Sequence, residues 1–274
     1  MANAVCIFAV KNDRKEPTIF NFMTQSLADS LERHQITLPK VQIRKLNEYC
    51  QLLWDWNERV NLTRHTDYDK FVARDVVDSL ALAEFLRTGE RILDVGTGGG
   101  VPGIPLAILR PDLRVELCDS TGKKALAVSE MLQELRLDIP VHHAKADAVL
   151  SEKGQRFTTL TIRAVSRLMA LLRHLAPCWS SFDRMLLVKG PKWVEERGEA
   201  RHYNLMTKIA LRCVKTYSTK IAESESVESF ILQLCLKENF DQLDKVIDGH
   251  VRGGSQDKEI RGGRRKFARQ RTAT

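Results

Sequence analysis

The chain has 274 residues, 43% hydrophobic and 28% charged, with a net charge of +8, enough apolar material for one large core or one core with a small appended domain, which excludes a fibrous or wholly disordered chain. Its longest apolar runs, such as Val5 to Val10 and Met185 to Val188, fall far short of the roughly 20 residues that a helix needs to cross a bilayer, so no membrane association is expected. Cys6, Cys50, Cys118, Cys178, Cys213 and Cys235 lie far apart without a Cys-x-x-Cys pair, which predicts reduced thiols in a cytoplasmic protein and no structural zinc.

In chain order, Ala4 to Val10 has no basic residue before it and is followed by Lys11, Arg14 and Lys15, unlike a secretory signal. Residues 1–37 are read as a mobile amino-terminal extension. Residues 38–88 form a helical region. Pro39 suits a first turn, Leu46, Tyr49, Cys50, Leu53 and Val60 recur near a 3.6-residue period, and a second helix fits Asp69 to Leu86 with Val72, Val76, Leu80 and Ala83 on one face. Residues 89–240 change to short apolar strands alternating with helices: Arg91 to Val95, Arg114 to Cys118, Pro140 to His143, Thr158 to Ile162 and Met185 to Val188. Such alternation predicts an α/β fold with a parallel sheet covered on both faces. His142 and His143 would then point to opposite faces of their strand and cannot easily share a metal. Val214 to Ser218 and Ser229 to Leu236 leave no room for a helix of normal length between them, so a terminal hairpin with one antiparallel strand completes a seven-stranded, Rossmann-like sheet. Residues 241–274 are a basic tail expected to be disordered. From Gly249 onward it holds eight Lys or Arg against two acids, interleaved with Gly253, Gly254, Gly262 and Gly263, a composition suited to phosphate backbones or simply to solubility.

The informative segment is Ile92-Leu-Asp94-Val-Gly96-Thr-Gly98-Gly-Gly100-Val101-Pro102-Gly103. A strand ending in clustered glycines lets backbone approach a ligand closely, with a helix opening at Pro105. Asp119, at the end of the next strand, is placed to accept hydrogen bonds from ribose hydroxyls, so the pair predicts a nucleoside-containing cofactor. The plainer reading is a tight strand–helix joint with Asp119 capping the following helix. Gly98-x-Gly100-x-x-Gly103 also matches a dinucleotide fingerprint, which keeps an NAD-dependent oxidoreductase open. Against it, Pro102 has no N–H to offer a pyrophosphate, and Asp94 would repel one while suiting the cationic end of an aminoacyl sulfonium.

The stretch Asp94 to Ile108, then Arg110-Pro111 and Asp119-Ser-Thr-Gly-Lys-Lys124, closely resembles the 16S ribosomal RNA guanine-N7 methyltransferases, also called glucose-inhibited division protein B. Trp56-Asn57, Asn61-Leu62-Thr63 and Asp78-Ser79-Leu80 upstream, with Arg163-Ala164 and Lys189-Gly190 downstream, look like further motifs of that family in the right order, over about Leu38 to Glu238. The resemblance implies an S-adenosyl-L-methionine-dependent methyltransferase domain. Its cofactor contacts would come from Gly96, Gly98 and Val101 in the glycine loop, Asp119 at the ribose, Ala146 and Asp147 at the adenine, and Arg163 closing the site. Read by itself, Asp147 is as well explained as a turn acid. Arg163, at the end of a central strand, is placed to meet a ligand carboxylate or an RNA phosphate. Two positions depart from the family: Asp75 follows Arg74 where Arg-His is usual, and Gly99 stands where proline or serine is common, which a flexible turn should tolerate.

The implied partner is 16S ribosomal RNA or the small ribosomal subunit, with no DNA partner expected and a monomeric enzyme. Guanine N7 carries a lone pair and no proton, so methylation there needs no general base, and no catalytic residue is assigned. An adenine amino-methyltransferase would favour an Asn/Asp-Pro-Pro-aromatic turn where Thr161-Ile162-Arg163-Ala164 stands, and cytosine carbon methylation would need a cysteine nearby, whereas Cys178 lies beyond the following helix. A non-catalytic RNA-binding protein of the same fold is the remaining alternative. If the tail tracks RNA backbone, deleting Gly249 to Thr274 will weaken RNA binding and flatten its dependence on salt, leaving cofactor binding unchanged. An identical salt slope in filter-binding titrations would reduce the tail to a solubility device.

Overall fold

The computed structural model describes residues 26–222 and 225–240. Most of the amino-terminal extension and the whole of the basic tail lie outside them. Seven strands, β1 (Arg91–Val95), β2 (Arg114–Asp119), β3 (Val141–His143), β4 (Phe157–Arg163), β5 (Phe182–Lys189), β6 (Ile209–Ala222) and β7 (Glu225–Leu236), form one sheet in the order β3-β2-β1-β4-β5-β7-β6. β7 is antiparallel to both neighbours and every other pairing is parallel. The chain order reverses between β1 and β4, where open α/β sheets leave a ligand crevice at the carboxyl ends of the strands.

Alternation along the strands divides the interior into two layers. Ile92, Val115, Leu117, Leu186 and Val188 pack toward α2 (Lys40–Asn57), α5 (Gly103–Leu109), α6 (Gly122–Glu134) and the helical stretch 68–83. Leu93, Val95, Leu160, Ile162, Met185 and Leu187 pack toward the other layer, which holds α7 (Ala146–Ser151), α8 (Leu168–Leu175) and α9 (Trp193–His202). Residues 38–88 therefore share a core with the sheet and are not a separate unit.

The expected extension 1–37 contains a helix, α1 (Leu27–Arg33). Ser26 and Asp29 cap it reciprocally, and Leu27 and Leu31, one turn apart, are buried against the first layer. Seven residues are too few for periodicity alone to betray them. The second expected helix runs from Tyr68 to Ala83 as α3 (Tyr68–Lys70), a π-helical turn (Phe71–Val76) and α4 (Val77–Ala83). Every residue of the π-helical turn except Arg74 is buried, so Asp75 lies inside together with Val72 and Val76. β6 is much longer than the expected Val214 to Ser218, because it is an edge strand whose lysines and threonines need no apolar alternation.

One row of β4 is polar where it faces the first layer, and each member meets an acid. Thr159 donates to Glu90 (2.9 Å), Thr161 to Asp94 (2.9 Å), and Arg163 pairs with Asp75 (2.6 Å). On β5, fully buried Arg184 donates to Glu90 (2.9 Å), to the Phe85 carbonyl (2.6 Å) and to Thr159 (3.0 Å). Removing one partner of such a buried pair strands the other. Arg184→Ala will therefore lower the unfolding free energy by about 3–5 kcal/mol, whereas Arg184→Met combined with Glu90→Leu will recover most of the loss. Urea denaturation measures both, and a single-variant loss under about 1 kcal/mol would mean that Glu90 finds water instead.

Candidate active site

The turn after β1 is held from beneath by Asp94. Its fully buried carboxylate accepts from Thr97 Oγ1 (2.6 Å), from Thr161 Oγ1 (2.9 Å) and from the backbone N–H of Gly103 (3.1 Å) at the start of α5. Burial pushes its pKa up to about 6 despite these donors. Asp94 thus organises the turn from inside, which corrects the expectation that it meets the cationic end of a ligand. It also occupies the helix N–H that a pyrophosphate would use, a direct argument against a dinucleotide. The helix opens at Gly103, two residues before the expected Pro105.

Gly96 has φ +66°, and a Cβ there would lie 2.7 Å from Val165 Cγ2, so backbone and the loop after β4 approach where no side chain fits. Gly99 is less permissive than its turn suggests. A Cβ on it would lie 2.7 Å from Leu53 Cδ1 and 3.2 Å from Leu62 Cβ, and its carbonyl accepts from buried Tyr49 Oη (2.8 Å). The expected flexible turn is therefore corrected: it is packed against α2 and the loop that follows α2.

Asp119 closes the other side. One carboxylate oxygen accepts the Gly98 N–H (2.9 Å) and the other the Thr121 N–H (2.8 Å), so Asp119 both ties the glycine turn and precedes the start of α6. Each oxygen keeps a lone pair for an outside donor. A cleft of about 280 Å³ opens here, lined by Gly96, Asp119, Ala146, Val165 and His174 among others. Of the expected contacts, Gly96, Asp119 and Ala146 come together. Gly98 reaches the cleft only through its bond to Asp119. Val101 does not line it: its side chain is buried in the first layer and its N–H donates to Thr97. The Asp147 carboxylate is also outside the lining, accepting from the Ala148 N–H (2.9 Å) and pairing with His174 (3.3 Å). Val165 and His174 escaped the sequence reading because only the seating of α8 against β4 turns them toward Gly96 and Asp119.

Arg163 differs most from expectation. Its guanidinium is not turned to a ligand but is engaged by Asp75 (2.6 Å), by Asp78 (3.3 Å) and by the Arg74 carbonyl (3.1 Å). Both acids are fully buried yet depart in opposite directions. For Asp75, burial raises the pKa, but the Arg163 charge and the His65 hydrogen bond outweigh it and hold the carboxyl below its usual range. For Asp78, burial prevails over Arg163, Arg74 and the Tyr217 hydroxyl, and the pKa is raised. The departure from the family at position 75 is thus a charge partner for Arg163 and His65 rather than an outward group. The larger cavity of about 880 Å³ between α1, α4 and β6 includes the paired charges Arg33 with Asp69 and Lys215 with Glu84 in its lining, and lacks the glycine turn.

Gly96→Val will place branched carbons against Val165 in a left-handed backbone, filling the closest approach beside the cleft. S-adenosylmethionine affinity, measured by calorimetry, will fall at least tenfold while circular dichroism reports an intact fold. Unchanged affinity would place the ligand elsewhere.

The family profile described as rRNA small subunit methyltransferase G matches residues 42–226. A ribosomal RNA small subunit methyltransferase G from Rhodopirellula baltica is 47% identical over 205 residues, covering 73% of this chain and 88% of the relative. The same enzyme from Desulfitobacterium hafniense is 35% identical over 190 residues, 68% of this chain and 79% of its own. Among solved structures, the O-methyltransferase from Bacillus cereus shares the fold at a TM-score of 0.51 and 16% identity, covering 76% of this chain and 97% of that one. The profile spans most of the helical region and the sheet from β1 through β6, including the turn on Asp94, and on this ground the chain belongs to the rRNA small subunit methyltransferase G family, S-adenosylmethionine-dependent enzymes that methylate ribosomal RNA.

Proposed function

We propose that this enzyme transfers a methyl group to N7 of a guanine in 16S ribosomal RNA, within the small ribosomal subunit, acting as a cytoplasmic monomer. The observation that carries the reading is the cleft beside Gly96 and Asp119 at the carboxyl edge of β1 and β2 in a chain of this family. S-adenosylmethionine, when bound, supplies a methyl group on a cationic sulfur. The residues present fit it: Gly96 leaves room that any Cβ would fill, Asp119 retains lone pairs for vicinal hydroxyls, and the first-turn N–H groups of α7 at Ala146 and Asp147 need acceptors such as purine nitrogens. We assign Gly98 to the same site through Asp119. Val101 supports the turn from the core, the Asp147 carboxylate meets the adenine edge only if it leaves His174, and Arg163 fixes the rim without touching the cofactor.

N7 offers its lone pair without losing a proton, so orientation and exclusion of water can supply the acceleration. Exposed large apolar side chains, Val41, Leu126, Val165, Val194 and Tyr203, are distributed over different elements, which supports a monomer. Among the described residues no helix is long and apolar enough to cross a membrane.

The test is methyl transfer to naked 16S RNA and to assembled small subunits, followed by mapping of N7-methylguanine. One guanine will be modified by the parent, and Asp119→Ala will lower transfer at subsaturating cofactor by at least tenfold through lost ribose contact and a loosened Gly98 turn. Label on another base or another guanine atom, or none with either acceptor, would overturn the reading.

A further inference from the structure

His65 lies outside the cofactor cleft, in the loop after α2, and the backbone of that loop is held at several points. Asn57 Oδ1 accepts the N–H groups of Leu62 (2.8 Å) and Thr63 (2.9 Å), the His65 N–H donates to Thr63 Oγ1 (3.0 Å), and the His65 carbonyl accepts from Trp54 Nε1 (2.7 Å). The ring follows the backbone: Nδ1 lies 3.0 Å from both oxygens of Asp75. Asp75 has no exposed side-chain surface, whereas the His65 side chain is 24% exposed. An ionised carboxylate only accepts, so Nδ1 carries a proton, and Nε2 is the ring nitrogen left for an outside partner. Among the described residues no protein hydrogen bond reaches Nε2 from another side chain.

The location is set by two anchors. Leu62 backs the glycine turn at Gly99, and Arg163, which holds Asp75, follows Ile162, the residue paired across the sheet with Val95 just before Gly96. Since β2 and β3 lie on the other side of β1, His65 flanks the end of the crevice opposite Ala146.

We propose that His65 contacts the target nucleotide, with Nε2 accepting a hydrogen bond from the N1–H or amino N–H of the guanine, and that Asp75 and Arg163 are the positioning residues behind it. This rests on the guanine-N7 reading above. As the new carbon–nitrogen bond forms from the N7 lone pair, the purine becomes cationic and its N1–H and amino groups become stronger donors, with no proton transferred. A fixed acceptor then binds the transition state more tightly than the ground state. Adenine has no hydrogen on N1, so the same acceptor discriminates against it.

Two variants separate this role from mere support of Asp75. In His65→Asn the amide nitrogen falls near the position of Nδ1 and keeps the Asp75 bond while removing Nε2; in His65→Gln the amide reaches toward Nε2 and gives up the Asp75 bond. With small subunits as acceptor, H65N will lower kcat at least tenfold, leaving the unfolding midpoint, S-adenosylmethionine affinity and KM for the acceptor near parental values, and H65Q will retain more activity than H65N. At equilibrium, the parent will bind 16S RNA already carrying the N7-methylguanine several-fold more tightly than unmodified RNA, and H65N will lose that preference. Parental kcat in H65N overturns the proposal, as does a raised KM with unchanged kcat and a shallower salt dependence, the signature of a phosphate contact. Should H65N not fold, an unaltered preference for methylated RNA in H65Q overturns it equally. Failure of the guanine-N7 reading would instead appear in the parent enzyme itself.

Discussion

The structure depends on the ion cluster in which Arg163, at the end of β4, meets Asp75 and Asp78 from the helical stretch 68–83. Two carboxylates with no solvent access are tolerable only with a cation and donors around them. The Arg163 guanidinium between them, Arg74 beside Asp78, the His65 ring and the Tyr217 hydroxyl supply these, and Tyr217 arrives from the far edge strand β6 (2.6 Å to Asp78). Three separate parts of the chain are thereby fixed at the carboxyl edge of the sheet. Arg184 and Glu90 repeat the device deeper in the same layer, so polar contacts specify how the helices register on the sheet while apolar burial supplies the driving force.

The glycine turn inherits its shape from this arrangement. Asp94 satisfies the first N–H of α5 and two threonine hydroxyls, Asp119 ties Gly98, and Tyr49 and Leu62 support Gly99 from the helical region. The cleft is consequently bounded by backbone that cannot relax far, the condition for binding a flexible nucleoside in one orientation. Asp94 points inward. What remains for a ligand is shape, the spare lone pairs of Asp119 and the first-turn N–H groups of α7.

Position 75 shows how a local departure is absorbed. An acid there would be costly if buried alone, but it lies between a histidine ten residues earlier and an arginine 88 residues later, and both reach it at hydrogen-bond distance. The exposed ring of His65 is the visible end of that chain of contacts. The partly exposed His65 ring is in this way connected to the end of a central strand through one buried carboxylate.

The sequence by itself determined the alternating strands and helices, the terminal hairpin, the glycine turn and the strand-end acid Asp119, because each is a short-range pattern: apolar period, glycine clustering, and an acid at a strand end. It could not determine the π-helical turn around Asp75, the short helix α1, or the length of the polar edge strand β6, since none leaves an apolar period. Nor could it decide the partners of Arg163, which lie 85 and 88 residues away, or the inward direction of Asp94. A strand-end arginine looks the same in sequence whether it faces a ligand or a buried acid. Only the packing of the helical region against β4 chose between them, because the low-polarity interior makes each unpaired acid too costly to leave without its cation.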